Sequence, residues 1–376
     1  MKIAFFTDSY KPYLSGVTNS AEIMVHELRA LGHKVYVLAP HYPGHVDTDP
    51  DMVRFPSFSG GYPKFRLAIP IVKKIPEVDI IHSHSPFQAG LLARFVARQR
   101  KVPLVYSFHT LFTRYVHYAR FVPGALAKMG IAAYLRSFCN GADQIITPST
   151  MARRVLRAWG VKTPVAVIPS GVELHLYPRD PADIRRKLRR RYGIREDEKV
   201  LLYAGRISKE KNLPFLIKAY ERLLESCPGT KLVVVGGGPL EAQLKRVRNV
   251  IVTGEIPYPR VLLYYAIGDI FLFSSTTETQ GMVLAEAKAA GLPIVALFAG
   301  GLVDTVRSGI DGYLVRRSQK AFVDHLARLL TDDELRRQFS LAARADAQER
   351  FASFIVAKQI ESVYNSLVNQ TRQEEL

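Results

Sequence analysis

Short apolar runs alternate with amphipathic stretches of helical period along nearly the whole chain. In the first half, Ile3–Thr7, Lys34–Ala39, Ile80–Ser83, Leu104–Phe108, Gln144–Pro148 and Val165–Ile168 have the length and β-branched content of strands. In the second half the same holds for Val200–Ala204, Leu232–Val235, Val250–Thr253, Ile270–Ser274 and Ile294–Ala296. Their apolar character is continuous rather than alternating, so both faces of each strand must be covered. That predicts buried parallel strands in βαβ units, an α/β fold. The first helix shows the complementary pattern: Ala21, Met24, Val25, Leu28 and Leu31 share one face, and Gly32 ends it as a left-handed cap.

The alternation pauses at Pro169-Ser170-Gly171-Val172 and the polar stretch to Asp183, then restarts. A chain of 376 residues exceeds one ordinary core, and two similar α/β halves satisfy both observations. We place the halves at residues 1–172 and 173–350, with 351–376 as a terminal segment. Asp180-Pro181 predicts a helix start, with proline at the first helical position. The Arg- and Lys-rich helix that follows, Ile184–Tyr192, reads as a solvated face. Phe351–Leu367 reads as an amphipathic helix able to pack back on the first half.

Composition narrows the class without naming it. An apolar share of 48% with 23% charged residues is that of a globular protein. Cys139 and Cys227 fit neither a zinc spacing nor a disulfide framework, which points to a reducing, cytoplasmic setting. The apolar run at the N-terminus is too short for a signal-peptide core, and no stretch of about 18 uninterrupted apolar residues predicts a membrane span. Charge is the unusual quantity: 52 basic against 34 acidic residues, a net of +18. Between Lys64 and Arg136 stand twelve Lys or Arg against Glu77 and Asp79, about +10 in one block. Such a block favours an anionic partner, the alternative being an Arg-rich surface with none. No nucleic-acid-binding motif accompanies the charge, so nucleic acid is not expected as a partner.

The candidate chemistry gathers at strand ends. Strand Ile270–Ser274 runs through Ser275-Thr276-Thr277-Glu278-Thr279-Gln280-Gly281 into the helical pattern Met282–Ala290. Loops at the carboxyl ends of parallel strands are where α/β sheets bind ligands. The positive end of the following helix favours phosphate. Glu278 falls in the loop and Glu286 inside the helix, so the two carboxylates suit hydroxyls of a sugar and a ribose on either side of a diphosphate. Arg206 follows strand Val200–Ala204, and Lys211 comes five residues later. Two cations on that loop suit a diphosphate leaving group.

Other motifs weigh less. Val235-Gly236-Gly237-Gly238-Pro239 lacks the third glycine of a dinucleotide fingerprint, Glu241 standing in its place, and reads as a tight strand-to-helix turn. Asp47, Asp49 and Asp51 imitate a metal-binding triplet, but no strand precedes them to present them, and we assign no metal there. In the first half, Thr7-Asp8-Ser9-Tyr10 and Leu14-Ser15-Gly16-Val17-Thr18 join the first strand to the first helix, and Gly16 permits close backbone approach to a ligand. His109 follows strand Leu104–Phe108 and is a candidate for the ligand side. His82 and His84, at another strand end, are weaker candidates.

Taken together these motifs resemble the retaining glycosyltransferase family 4. The likeness rests on the loop around Gly16, Phe108-His109-Thr110, Ile168-Pro169-Ser170-Gly171-Val172, Gly205-Arg206 with Lys211, and Glu278 with Glu286. It implies the GT-B fold, two Rossmann-like domains facing each other across a cleft, the first for the acceptor and the second for the nucleotide sugar. It implies that Arg206 and Lys211 bind the donor diphosphate, that Glu278 bonds the transferred sugar and that Glu286 bonds the ribose. Thr279, Gln280, Gly281 and Met282 would line the donor, His109 would lie beside the reacting sugar, and Gly16 would line the cleft. No metal or other cofactor is implied. One departure stands out: where the family commonly has Glu after its Gly-Gly pair, Gly300-Gly301-Leu302-Val303 leads here to Asp304.

Within the family, His109-Thr110-Leu111-Phe112-Thr113-Arg114-Tyr115 resembles diacylglycerol glucosyltransferases and, less closely, phosphatidylinositol mannosyltransferases. That implies UDP-glucose as donor, a lipid acceptor such as diacylglycerol, and work at the inner face of the cell membrane. Lys64, Arg66, Lys73, Lys74, Arg114 and Tyr115 are then the expected acceptor or membrane contacts. Basic residues near an anionic leaflet contribute roughly 1 kcal/mol each, so four or five suffice for reversible docking. Pro70 argues for a short helix or loop rather than one long amphipathic helix. The segment Gln88–Lys101 reads as a core-packed helix with a basic outer face. The expected chemistry is transfer with retention through an oxocarbenium-like transition state, the leaving diphosphate taking the acceptor proton on the same face. The alternatives are the same chemistry on a soluble sugar, a polysaccharide or phosphatidylinositol, and a sugar-nucleotide epimerase.

Overall fold

The structure, a computed structural model, describes residues 1–13, 15–60, 66–112 and 124–374. It divides into two compact units, Met1–Gly171 with Ser353–Leu376, and Val172–Ala352.

The first unit contains β1 (Lys2–Phe6), α1 (Gly16–Ala30), β2 (Lys34–Pro40), β3 (Met52–Phe55), β4 (Ser57–Ser59) and β5 (Arg66–Ala68). It continues through β6 (Ile80–Ser83), α2 (Gln88–Arg100), β7 (Leu104–Ser107), α3 (Gly124–Cys139), β8 (Gln144–Thr147), α4 (Thr150–Ala158) and β9 (Val165–Val167). Its main sheet is parallel throughout, in the order β3-β2-β1-β6-β7-β8-β9. Alternate residues of each strand feed two separate cores. Ile3, Phe5, Val35, Val37 and Ile80 pack with Met24 and Leu28 of α1 on one face. Ala4, Phe6, Leu38, Ile81 and Tyr106 pack with Val96 of α2 and Phe138 of α3 on the other. Covering on both faces is why these strands read as unbroken apolar runs. The chain's last helix joins the first core through Val356, Ile360 and Tyr364.

The second unit runs α5 (Pro181–Arg191), β10 (Lys199–Ala204), α6 (Leu213–Ser226), β11 (Thr230–Val235), α7 (Glu241–Leu244), β12 (Val250–Val252) and α8 (Val261–Tyr264). Then come β13 (Ile270–Phe273), α9 (Met282–Ala289), β14 (Ile294–Leu297), α10 (Leu302–Thr305), β15 (Gly312–Val315), α11 (Gln319–Thr331) and α12 (Asp333–Asp346). Its parallel sheet is ordered β12-β11-β10-β13-β14-β15. The strand order reverses between β10 and β13, and the loops that leave those two strands carry Arg206 and Glu278. The chain returns to the first unit as α13 (Ser353–Glu374).

Several expectations need amending. The pattern missed β3, the separate β4–β5 hairpin and the edge strand β15: the first three are only partly buried, and β15, though buried, is four residues long and starts at a glycine. The helix α5 is not simply a solvated face. Arg189 is 2% exposed and donates to the carbonyls of Arg195 and Glu198, and Arg185 pairs with Asp269 at 2.7 Å. Nor is the outer face of α2 only basic: Gly90, Ala93, Val96 and Ala97 turn inward, while Leu91 and Phe95 are 50% and 56% exposed.

A buried ionic cluster ties α9 to the elements behind it. Lys288 and Asp311 are 0% exposed and Asp346 1%. Lys288 Nζ lies 3.0 Å from Asp311, bonds Asp346, and donates to the Thr305 carbonyl at 2.8 Å. Arg307 reaches Asp311 at 2.6 Å, and Arg350 reaches Asp346 at 2.7 Å. Burial by itself would raise the Asp346 carboxyl, but the Arg350 and Lys288 bonds outweigh it and hold it below the usual range. The stability this contributes is present above the ordinary aspartate range and lost on acidification through the lowered value. Three cations here share two carboxylates, so losing a carboxylate is the worse error. Asp346→Asn should destabilise by about 3–5 kcal/mol, and clearly more than Lys288→Met, which leaves charges balanced. Urea denaturation of the two variants against the parent measures the order.

Candidate functional site

The second unit presents its chemistry on the loops after β10 and β13. Beyond Ala204 the chain turns at Gly205 into Arg206 and Ile207, and the glycine run after β11 lies flat against this turn. A Cβ on Gly236 would stand 2.1 Å from the Gly205 carbonyl oxygen, and one on Gly238 2.4 Å from that of Ile207. The Gly205 N–H donates to the Val235 carbonyl and the Ile207 N–H to that of Gly237, each at 2.9 Å. The run is therefore a backing surface that allows two loops to touch through their backbones. Arg206, carried on this turn, is 60% exposed, its guanidinium 3.9 Å from Glu210.

Lys211 ends a short 3-10 turn, and its backbone is tied to the end of β13. Ser274 Oγ donates to the Lys211 carbonyl at 2.9 Å, and the Asn212 side-chain amide donates to the Ser274 carbonyl at 3.2 Å. The Lys211 ammonium lies 2.6 Å from Glu278 Oε1, both side chains about one-fifth exposed. The structure thus brings together two of the expected donor residues as an ion pair. Thr279 and Gln280 follow, and Gly281, at φ 80°, opens α9 at Met282 without any side-chain cap. The Leu284 N–H donates to the Gly281 carbonyl at 2.9 Å, and no side chain caps the N–H groups ahead of it, the arrangement in which a helix start receives an anion. This loop too is backed by glycine: a Cβ on Gly301 would stand 1.7 Å from the Thr279 carbonyl oxygen, and one on Gly300 2.6 Å from that of Glu278. The Gly-Gly pair before Asp304 is therefore required by the loop it supports.

Glu286 lies past the first turn of α9. Its Oε2 accepts the Tyr265 hydroxyl at 2.5 Å, and its carbonyl accepts that of Tyr177 at 3.1 Å. Burial raises its carboxyl above the usual range, with the Tyr265 bond opposing. The Gln280 carbonyl accepts from Thr305 Oγ1 at 3.2 Å, and the Thr305 carbonyl accepts from Lys288. The buried cluster therefore reaches the loop through one residue. Lys288, Tyr265 and Thr305 gave no sequence signal, because only the fold makes them neighbours.

In the first unit, His109 leaves the carboxyl end of β7 beside His84, which leaves β6. His84 Nδ1 and His109 Nε2 are 3.0 Å apart. His82 is wholly buried, between the Tyr364 hydroxyl at 2.5 Å and Ser107 Oγ at 2.8 Å. Asp8, in the loop after β1, is a further residue that the pattern passed over. Its Oδ1 accepts the Ala89 N–H at 2.7 Å and its Oδ2 accepts the Ser85 hydroxyl, so it caps α2 from a distant part of the chain. Burial raises its carboxyl. Gly16 opens α1 after the Ser15–Thr18 capping box, and no described protein atom lies within 4 Å of where its Cβ would be. Packing does not demand that glycine.

The basic segment divides. Arg66 is engaged internally, donating to the Ser57 hydroxyl and carbonyl at 2.6 and 2.7 Å, which closes the β4–β5 hairpin. Those bonds fix its direction along the hairpin and leave it half-buried, with neutral partners in Ser57. Lys73 and Lys74 lie exposed on a 3-10 turn, Val72–Lys74. Lys64, Arg114 and Tyr115 lie outside the described residues. The aspartate triplet is neutralised by cations: Asp47 by Arg54 at 2.7 Å, Asp49 by Arg29 at 2.9 Å and Asp51 by Lys34 at 3.6 Å.

Comparison with known proteins follows the same division. Residues 14–176 match the model of Glycosyltransferase Family 4, and residues 184–346 that of Glycosyl transferases group 1. The alpha-monoglucosyldiacylglycerol synthase of Streptococcus pneumoniae is 35% identical over 322 residues, which are 79% of this chain and 71% of that protein. The protein of the same name from Acholeplasma laidlawii is 28% identical over 397 residues, covering 100% of this chain and 99% of its own. Among solved structures, HepE of Anabaena, crystallised with UDP, superposes with a TM-score of 0.78 at 21% identity, covering 98% of this chain and 100% of that one. At that identity the likeness is one of fold.

The ion pair at 211 and 278 has a measurable consequence. An anion that reaches Lys211 must compete with the Glu278 carboxylate and meet its negative charge. Glu278→Gln keeps the shape and removes both obstacles. Calorimetry with inorganic pyrophosphate should show affinity about fivefold tighter than the parent, the worth of a partly exposed pair of ~1 kcal/mol. Unchanged or weaker binding would mean that the carboxylate does not guard the lysine.

Proposed function

We propose, from the premise that this chain belongs to the glycosyltransferases of family 4 with a group 1 domain, that it moves a hexose from a nucleotide-diphosphate sugar to a lipid acceptor of the diacylglycerol class. The observation that carries the donor half is the meeting of Arg206, Lys211, Glu278 and the uncapped start of α9 on adjoining loops of the second unit. Two cations and a helix N-terminus suit a diphosphate, and a carboxylate beside them suits sugar hydroxyls. Glu286, held by Tyr265, suits a ribose diol. The acceptor half rests on the relatives: the proteins from Streptococcus pneumoniae and Acholeplasma laidlawii are both alpha-monoglucosyldiacylglycerol synthases by name, which favours glucose as the sugar moved, and we take UDP-glucose as its donor.

In this reading bond cleavage at the anomeric carbon places negative charge on the leaving diphosphate, which Arg206 and Lys211 stabilise without a divalent ion. A retaining glycosidase would instead need two carboxylates flanking that carbon, one of them a nucleophile. Glu278 is occupied with Lys211 and Glu286 with Tyr265, which fits donor positioning better. The diphosphate oxygen on the same face then takes the acceptor proton, and configuration is retained. His109 of the first unit is assigned to the reacting sugar.

Membrane work has support in the first unit's surface. Leu91 and Phe95 of α2 and Leu126 and Met129 of α3 are all at least half exposed, with Arg98 and Lys128 among them. Exposed apolar side chains set among basic ones suit the headgroup boundary of an anionic bilayer. No helix among the described residues is long and apolar enough to cross a membrane.

Arg206→Ala should lower turnover of UDP-glucose with dispersed diacylglycerol by about 10²–10³, while calorimetric UDP affinity falls much less. Near-normal turnover would overturn the assignment. Reversing charge at Lys73 and Lys74 together should weaken sedimentation with phosphatidylglycerol vesicles by about tenfold or more at low salt. Binding to neutral phosphatidylcholine vesicles should not change, and loss on both vesicle types would argue against an electrostatic contact.

A further inference from the structure

The histidines of the first unit contain an arrangement that the transfer reaction alone does not require. β6 and β7 pair in parallel with His82 opposite Val105 and Ser83 opposite Tyr106, so His84 and His109 leave the same end of the sheet on neighbouring strands. Their rings lie nearly parallel, 5.3 Å between centroids and 15° between planes, with His84 Nδ1 3.0 Å from His109 Nε2. His84 also packs against His82, at 4.3 Å between centroids, and Phe5, at 4.7 Å. It is 5% exposed, and its Nε2 is buried with no hydrogen-bond partner among the described residues.

That unpartnered nitrogen decides where the His84 proton sits. A neutral imidazole carries one N–H, on Nδ1 or on Nε2. On Nε2 it would be a buried donor with nothing to receive it, at a cost of about 1–3 kcal/mol. Bare acceptors are tolerated in protein interiors more readily than bare donors. On Nδ1 the proton converts the 3.0 Å approach to His109 into a hydrogen bond. A doubly protonated His84 would leave Nε2–H just as stranded, and burial holds His82, His84 and His109 well toward the neutral form, His109 at about 4.

We infer that His84 is a positioning residue, which donates Nδ1–H to His109 Nε2 and so fixes His109 as the neutral Nδ1–H tautomer. His109 then has its Nε2 lone pair committed and cannot serve as a base through that atom. What it offers is a fixed N–H donor, which suits a hydroxyl or developing negative charge better than proton abstraction. The functional consequence rests on the proposed role of His109; the tautomer does not.

Long-range proton–nitrogen correlation spectra of the full chain labelled at histidine read this directly, with His109 assigned by its loss in His109→Ala. The expected result at neutral pH is a protonated Nδ1 and an unprotonated Nε2 on His109. The opposite tautomer, or an even mixture, overturns the inference, whether or not transferase activity has been found. His84→Phe keeps an aromatic ring in place and removes the donor, and His109 should then drift toward its intrinsically favoured Nε2–H form. His84→Asn keeps an N–H near the Nδ1 position and should preserve the tautomer. In turnover, His84→Phe should lower kcat about tenfold with donor KM nearly unchanged, and His84→Asn should recover most of it. A His84→Phe enzyme with unaltered kcat would show that the fixed proton has no part in the reaction.

Discussion

Backbone-to-backbone contact between loops at the carboxyl edge of the second sheet is the constraint from which the candidate site follows. Side chains larger than hydrogen cannot stand at Gly236, Gly238, Gly300 or Gly301 without meeting a carbonyl oxygen of the neighbouring loop within 2.6 Å. Because these four positions are glycine, the loop that bears Arg206 and the loop that bears Glu278 are each held against a rigid neighbour. Loops usually offer adaptable geometry, but here they are fixed closely enough to present an anion site. A methyl group at any of the four would displace the cation or the carboxylate rather than merely loosen a turn.

Charge is handled in two contrasting ways around α9. Lys288, Asp311 and Asp346 are sealed from water, and their balance depends on Arg307 and Arg350 at the rim. Such a cluster has little freedom to exchange partners, and it holds α9 and the Thr305–Gln280 link in place. Lys211 and Glu278 are instead partly open to solvent, so their pairing can be exchanged for a ligand at modest cost. Structural charge lies behind the helix and exchangeable charge lies in front of it. A donor can thus be received without disturbing the scaffold.

The first unit differs in character. Its candidate site is, among the described residues, a cluster of neutral imidazoles, in which burial suppresses charge and hydrogen bonds decide orientation. Its surface carries basic residues beside apolar ones that the core has no room for. The two properties suit an acceptor that is uncharged at the reacting hydroxyl and bound to an anionic sheet of lipid.

Much of this was legible in the sequence, for reasons that can be stated. Continuous β-branched runs report burial on both faces, so the central strands and their parallel pairing follow from the chain itself. Strand–loop–helix order then places Glu278, Arg206 and His109 at carboxyl ends of strands and Glu286 in the helix that follows one of them. Edge strands such as Met52–Phe55 and Gly312–Val315 escaped, the first because its positions are only partly buried and the second because four residues opening on a glycine make too short an apolar run. Tertiary structure alone decided the partners. Arg66 looks like a free surface cation until Ser57 is found beside it, and Lys288 looks like an ordinary helix lysine until two distant aspartates close over it. The Glu278–Lys211 pair and the His84–His109 bond likewise join residues 67 and 25 positions apart. Sequence records what each residue can do, whereas the local dielectric and the neighbours that select one of those capacities exist only once the chain has folded.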